Sequence, residues 1–175
     1  MKRLMWLVPA ILFFCVSAKA QDIPAWEAGG GYSYLWADVG GSSFNLQGGH
    51  ASLSENFNDW FGGRVEFAAF GGTVGGTNVS VQTITYGPTF SYRRFDRFTP
   101  YAHFQIGAVH GSTGFLDISQ GAFKFALEPG VGADFRVSNN LAVRGQADYL
   151  MTRFLDARQD NMQFSVGLVY YIGRK

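Results

Sequence analysis

The chain has 175 residues, a length that suits a single domain. Charged residues make up 15% of it, against about 25% in an ordinary soluble domain, while glycine (23) and phenylalanine (17) are abundant. With 14 basic and 13 acidic side chains and no basic block, the composition argues against a nucleic-acid partner.

The first segment reads as a secretory signal. Lys2 and Arg3 precede an apolar run from Leu4 to Val16, and Ala18-Lys19-Ala20 offers small residues where a signal peptidase cuts. Residues 1–20 are therefore expected to be cleaved, leaving one mature domain over 21–175. The run is shorter than the roughly 20 apolar residues of a membrane-spanning helix. Cys15, the only cysteine, leaves with the signal, because Phe14 before it departs from a lipoprotein signal. The mature chain then has no disulfide and no cysteine metal site. Loss of Lys2, Arg3 and Lys19 leaves 11 basic against 13 acidic side chains.

The mature chain alternates strand-like runs with turn clusters. The first strand, Glu27 to Trp36, sets Tyr32, Tyr34 and Trp36 against Glu27, Gly29, Gly31 and Ser33. The second, Phe44 to Ser54, blurs at Gly48-Gly49, where a bulge is expected. The third, Phe61 to Phe70, opposes Phe61, Val65 and Phe67 to Arg64 and Glu66. The fourth, Ser80 to Tyr92, opposes Ile84, Tyr86 and Phe90 to Thr83, Thr85 and Thr89. The fifth, Pro100 to His110, sets Phe104 and Ile106 against His103 and Gln105. The sixth, Ala122 to Val137, sets Phe125, Leu127, Val131 and Phe135 against Lys124, Glu128, Asp134 and Arg136. The seventh, Leu141 to Met151, sets Val143 and Tyr149 against Arg144, Gln146 and Asp148. The eighth, Asn161 to Ile172, sets Phe164, Val166 and Leu168 against Gln163, Ser165 and Gly167.

Period-two alternation over segments of roughly ten residues is the signature of a transmembrane barrel. Asn56–Asp59, Arg93–Arg97 and Ser138–Asn140 read as tight turns. Asp38–Ser43, Gly71–Asn78, Gly111–Gln120 and Arg153–Asp160 read as longer loops at the opposite end. A soluble barrel alternates too, with its apolar face inside. Here the polar face is rich in glycine and small residues, as a crowded interior requires. Aromatics such as Tyr34, Trp36, Trp60, Phe61, Tyr92, Tyr149 and Tyr170 gather at strand ends, as in interfacial girdles. The expected fold is all-β: an eight-stranded antiparallel up-and-down transmembrane β-barrel.

Three stretches carry a family resemblance. They are Tyr86-Gly87-Pro88-Thr89-Phe90-Ser91-Tyr92-Arg93 with Thr99-Pro100-Tyr101-Ala102-His103, then Gly130-Val131-Gly132-Ala133-Asp134 with Leu141–Tyr149, and the closing Ser165-Val166-Gly167-Leu168-Val169-Tyr170-Tyr171-Ile172. They resemble small outer-membrane β-barrel proteins related to the transmembrane domain of OmpA. That resemblance implies a bacterial outer-membrane location and contact with its lipids. The closing stretch looks like the family's signal to the barrel-assembly machinery.

Catalytic signals are sparse. His50-Ala51-Ser52 has the His-x-Ser spacing used by lipid A deacylases, but no third triad member is readable, and His110-Gly111-Ser112 repeats the pattern. His50, His103 and His110 lack metal-ligand spacing. No catalytic, cofactor or metal site is expected. The charged residues of the polar face, Arg64, Glu66, Lys124, Glu128, Asp134, Arg136, Arg144 and Asp148, are expected to fill the lumen and neutralise one another. A three-residue turn over Ser138–Asn140 pairs Val137 with Leu141 and so Asp134 with Arg144. The expected function is structural or surface-interacting without catalysis, as a monomer. The alternatives are a small passive pore and a lipid A-acting hydrolase.

Overall fold

The computed structural model describes residues 23–39, 42–113, 124–154 and 157–174, so the expected signal lies outside the described residues. Their regular structure is strand: β1 (Trp26–Val39), β2 (Ser42–Asn56), β3 (Phe61–Val74), β4 (Thr77–Ser91), β5 (Phe98–Thr113), β6 (Lys124–Arg136), β7 (Leu141–Phe154) and β8 (Ala157–Ile172). Each strand pairs antiparallel with its chain neighbours, and β8 closes on β1, making the expected up-and-down barrel. Closure leaves no sheet edge, so backbone polar groups are satisfied where lipid offers no partner. The start of β1, the end of β8 and the turns at 57–60, 92–97 and 137–140 share one end, here called proximal.

The strands are 13 to 16 residues long, where about 9–11 suffice to cross a bilayer. Much of the surplus lies at the distal end, in segments whose composition suggests loops. Gly71–Asn78 is not a flexible loop: the β3–β4 ladder runs to Val74↔Thr77 and the chain reverses on Gly75 (φ 56°) and Gly76 (φ 83°). Two successive positive φ values are what a type I′ turn needs, and its twist matches that of the strands it joins. Likewise β1 and β2 stay paired to Val39↔Ser42, and β7 and β8 to Phe154↔Ala157. Residues 114–123, with the expected start of the sixth strand at Ala122, lie outside the described residues.

The bulge expected at Gly48-Gly49 is absent, since the β1–β2 register is unbroken from Trp26↔Glu55 to Val39↔Ser42. A Cβ on Gly48 would overlap the Ala69 carbonyl of β3. Glycine there permits close approach of two strands and leaves the register intact.

Strand parity sets the two faces. Val65, Phe67, Ile84, Tyr86, Phe104, Ile106, Phe125, Val131, Phe164, Val166 and Leu168 point outward and are exposed despite being apolar. A proximal aromatic chain runs through Trp60, Phe61 and Phe90 on one side, and Tyr92, Phe95, Phe98 and Phe135 on the other. In the distal part of β2–β5 the polarity reverses. Asn45, Gln47, Thr73, Ser80 and Gln82 are exposed on the outside. Leu46 and Phe70 turn inward and, with Leu35, Ala68, Val109, Ala126 and Leu150, form a buried apolar cluster against which Phe44, Val79 and Val81 pack.

Candidate functional site

The lumen has three layers, and the parity of the strands assigns side chains to each. The proximal layer is a floor of ion pairs. The short turn after β6 fixes the register there, with Val137 N–H donating to the Leu141 carbonyl at 2.9 Å and Asp134 opposite Arg144. Arg144 donates through Nε and Nη2 to both carboxylate oxygens of Asp134, at 2.6 and 2.7 Å. Its Nη2 also donates to Glu27 on β1, at 2.7 Å. Arg93, from the turn between β4 and β5, reaches across the mouth to the same glutamate at 2.7 Å and to Asn56 at 2.9 Å. The Tyr101 ring lies between the Arg64 and Arg144 guanidiniums, 4.6 and 4.8 Å from its centroid. Bidentate pairing and three-way sharing satisfy charges that burial would otherwise penalise.

The middle layer is built differently. Glu66 (β3), Glu128 (β6) and Asp148 (β7) are buried, and each places a carboxylate oxygen within 4.8 Å of the others. Among the described residues, no arginine or lysine nitrogen comes within 4.0 Å of any of them. Gln146 Nε2 donates to Glu66 and to Asp148, each at 3.0 Å. His103 Nε2 lies 3.0 Å from Asp148 Oδ1, although neither atom has a well-directed hydrogen bond. Gly130 makes room for this contact, since a Cβ there would strike both side chains. Arg64 makes no ion pair with these carboxylates, donating to Ser54 at 3.1 Å and to Gln146 at 3.4 Å.

The distal layer is the apolar cluster, a cap over the lumen. Leu46 and Leu150 are at most 1% exposed in it. Filling this space with Leu, Val and Phe removes apolar surface from water, and buried Asn161 stands opposite Leu150 at its edge.

The residues singled out in the sequence thus divide. Arg64, Glu66, Glu128, Asp134, Arg144 and Asp148 are buried in the lumen. Lys124 is half-buried at the distal end, and Arg136 is exposed at the proximal rim with its guanidinium over the Tyr171 ring. Arg136 stands near the end of β6, where the lumen opens to solvent, so parity alone does not bury it. Sequence reasoning left Glu27, Arg93 and Asn56 out of the network. Glu27 shares the parity of Gly29, Gly31 and Ser33, a signal that was available. Arg93 sits in a turn, where parity says nothing.

His50 and Ser52 both face the lumen and are buried. His50 Nδ1 meets Ser33 Oγ at 2.8 Å, and Ser33 Oγ meets Ser165 Oγ at 2.7 Å. The pair therefore points away from the lipid-facing wall.

The sequence from residue 7 to 171 matches the family described as outer membrane protein beta-barrel domain. Solved structures share the fold at low identity. Neisserial surface protein A superposes with a TM-score of 0.73 at 13% identity, covering 85% of this chain and 97% of that one. The attachment invasion locus protein Ail of Yersinia pestis gives 0.60 at 17% identity, covering 85% and 100%. The N-terminal barrel domain of Pseudomonas aeruginosa OprF gives 0.53 at 10% identity, covering 86% and 100%. No curated protein matches the sequence significantly.

Proposed function

The chain belongs to the outer membrane protein beta-barrel domain family, and we propose that within the bacterial outer membrane it is a sealed barrel with a structural or surface-interaction role and no catalysis. Its proximal end, with the start of β1, the end of β8 and the tight turns, faces the periplasm. The observation that carries the reading is double closure of the lumen. An apolar cap spans the distal part, and the Arg93–Glu27–Arg144–Asp134 network spans the proximal part. A barrel of about eight strands is just wide enough for side chains to fill it, whereas open porins have about 16–18. A passive pore would need both layers to part.

The exposed polar wall of distal β2–β4 supports a surface role, because it stands beyond the apolar belt. The inward-facing His50 and Ser52 speak against a lipid A-acting hydrolase, since no acyl chain lying against the outer wall reaches them. On this reading the barrel is a monomer in contact with outer-membrane lipids and enters the membrane through its C-terminal strand, β8. Planar-bilayer recording of the purified protein tests the sealed lumen. No discrete conductance steps are expected, and reproducible single-channel steps would overturn it.

A further inference from the structure

We propose that the middle layer of the lumen is a binding site for a hard divalent cation of the calcium class, held by Glu66, Glu128, Asp148 and Gln163. This goes beyond the sealed-barrel reading. It also departs from the absence of metal ligands that residue spacing in the sequence suggests.

Three observations converge. First, Glu66, Glu128 and Asp148 come from three strands yet bring one oxygen each within 4.8 Å of the others. Ligands arrayed around Ca²⁺ at about 2.3–2.6 Å are separated by at most twice that distance, so the spacing fits the ion without moving the backbone. Second, among the described residues no arginine or lysine pairs with the layer, whose basic contact is His103 Nε2 against Asp148 Oδ1 at 3.0 Å. The arginines of the lumen are committed to the floor, to Ser54 or to Gln146, so three carboxyl groups face one another with one imidazole as the basic group in contact. Third, a neutral side chain reaches the same space and carries an unused ligand atom. Gln163 is fully buried, and its amide nitrogen reaches Glu66 at 3.5 Å, Asp148 at 3.4 Å and Ser165 at 3.4 Å, while its carbonyl oxygen has no partner. Rotating that amide by half a turn would present the oxygen to an ion, an orientation the hydrogen-bond network alone decides. Glu128 Oε2 lacks a hydrogen bond as well, and Asp148 Oδ1 has only the poorly directed contact with His103 Nε2 at 3.0 Å.

Glu66, Glu128, Asp148 and Gln163 all offer oxygen, which suits calcium and disfavours soft metals, and His103 Nε2, 3.0 Å from Asp148 Oδ1, is the nitrogen beside them. The surroundings make the site selective for small solutes. The apolar cap closes one side and the ion-pair floor the other, so the ion enters as the barrel closes during folding.

The test is refolding of the full mature chain from urea into detergent micelles, with calcium or with a chelator, followed by desalting and elemental analysis. The parent is expected to retain about one calcium per chain and to unfold at a higher temperature when refolded with calcium. Glu128→Gln keeps the shape of the side chain and removes one ligand charge. It is expected to lower calcium retention by about tenfold or more and to make the unfolding temperature independent of calcium. Asp148→Asn, run in parallel, reads the same loss. Asp59→Asn, in an exposed proximal turn, is expected to retain calcium as the parent does. A parent that retains no calcium and unfolds identically with and without it would overturn the site. So would retention undiminished in both Glu128→Gln and Asp148→Asn.

Discussion

The floor and the cap close the same lumen with opposite chemistry. The floor places Arg93, Glu27, Arg144 and Asp134 in a chain of short ion pairs. The cap places Leu35, Leu46, Phe70, Val109 and Leu150 in one apolar cluster. The outer wall changes in the opposite sense across the same length in β2–β4. It is apolar around Val65, Phe67 and Ile84 and polar at Gln47, Ser80 and Gln82. The rule of polar inside and apolar outside therefore does not hold along the whole length of these strands. On the sealed-barrel reading, the change marks the level at which the wall leaves lipid for water.

Breaking the floor should cost most. Arg144→Ala leaves Asp134 without its bidentate partner and Glu27 with Arg93 as its remaining ion-pair partner, so about 3–5 kcal/mol of stability should be lost. The double variant Arg144→Ala/Asp134→Ala should lose less than the sum of the single variants. Reversible unfolding from lipid vesicles measures this coupling, and additive losses would mean that the floor does not act as a unit.

The cap should respond to volume and be indifferent to charge partners. Leu46→Ala removes a side chain that is 0% exposed and faces Leu35 across β1 and β2. A loss of about 2–5 kcal/mol is expected. The same loss in high and low salt would separate it from the floor.

The level at which the wall changes can be located with two neighbouring sites on β4. Ile84 and Gln82 share the outward face. Ile84→Arg should cost up to about 2–4 kcal/mol, the depth-dependent penalty for arginine against lipid. Gln82→Arg should stay within about 0.5 kcal/mol, as an ordinary surface substitution. Equal costs at both sites would place the boundary elsewhere.

The smallest effect is expected at Ser52. Ser52→Ala should leave the lipid A of producing cells unchanged by mass spectrometry. A deacylated product that disappears in this variant would return the hydrolase to consideration.

Alternation with a period of two, the girdle aromatics and the tight turn at Ser138–Asn140 are local properties of the chain. They were enough to read eight strands, their faces and the pairing of Asp134 with Arg144. That pairing is local because a short turn fixes the register of the two strands it joins, and a slip of one residue would turn charges toward lipid. The strand lengths, the inward cluster of Leu46 and Phe70, the reach of Arg93 to Glu27, and the meeting of Glu66, Glu128 and Asp148 were not legible in that way. Each depends on the stagger of the closed barrel, which brings residues far apart in sequence to one height. Glu27 and Arg144 are 117 positions apart, and no local pattern encodes their contact. The sequence by itself determined which side of the wall each residue faces, because Cβ direction alternates along any strand. Only closure of the barrel decided who meets whom inside it, because height in a tilted, staggered sheet is a property of all eight strands together.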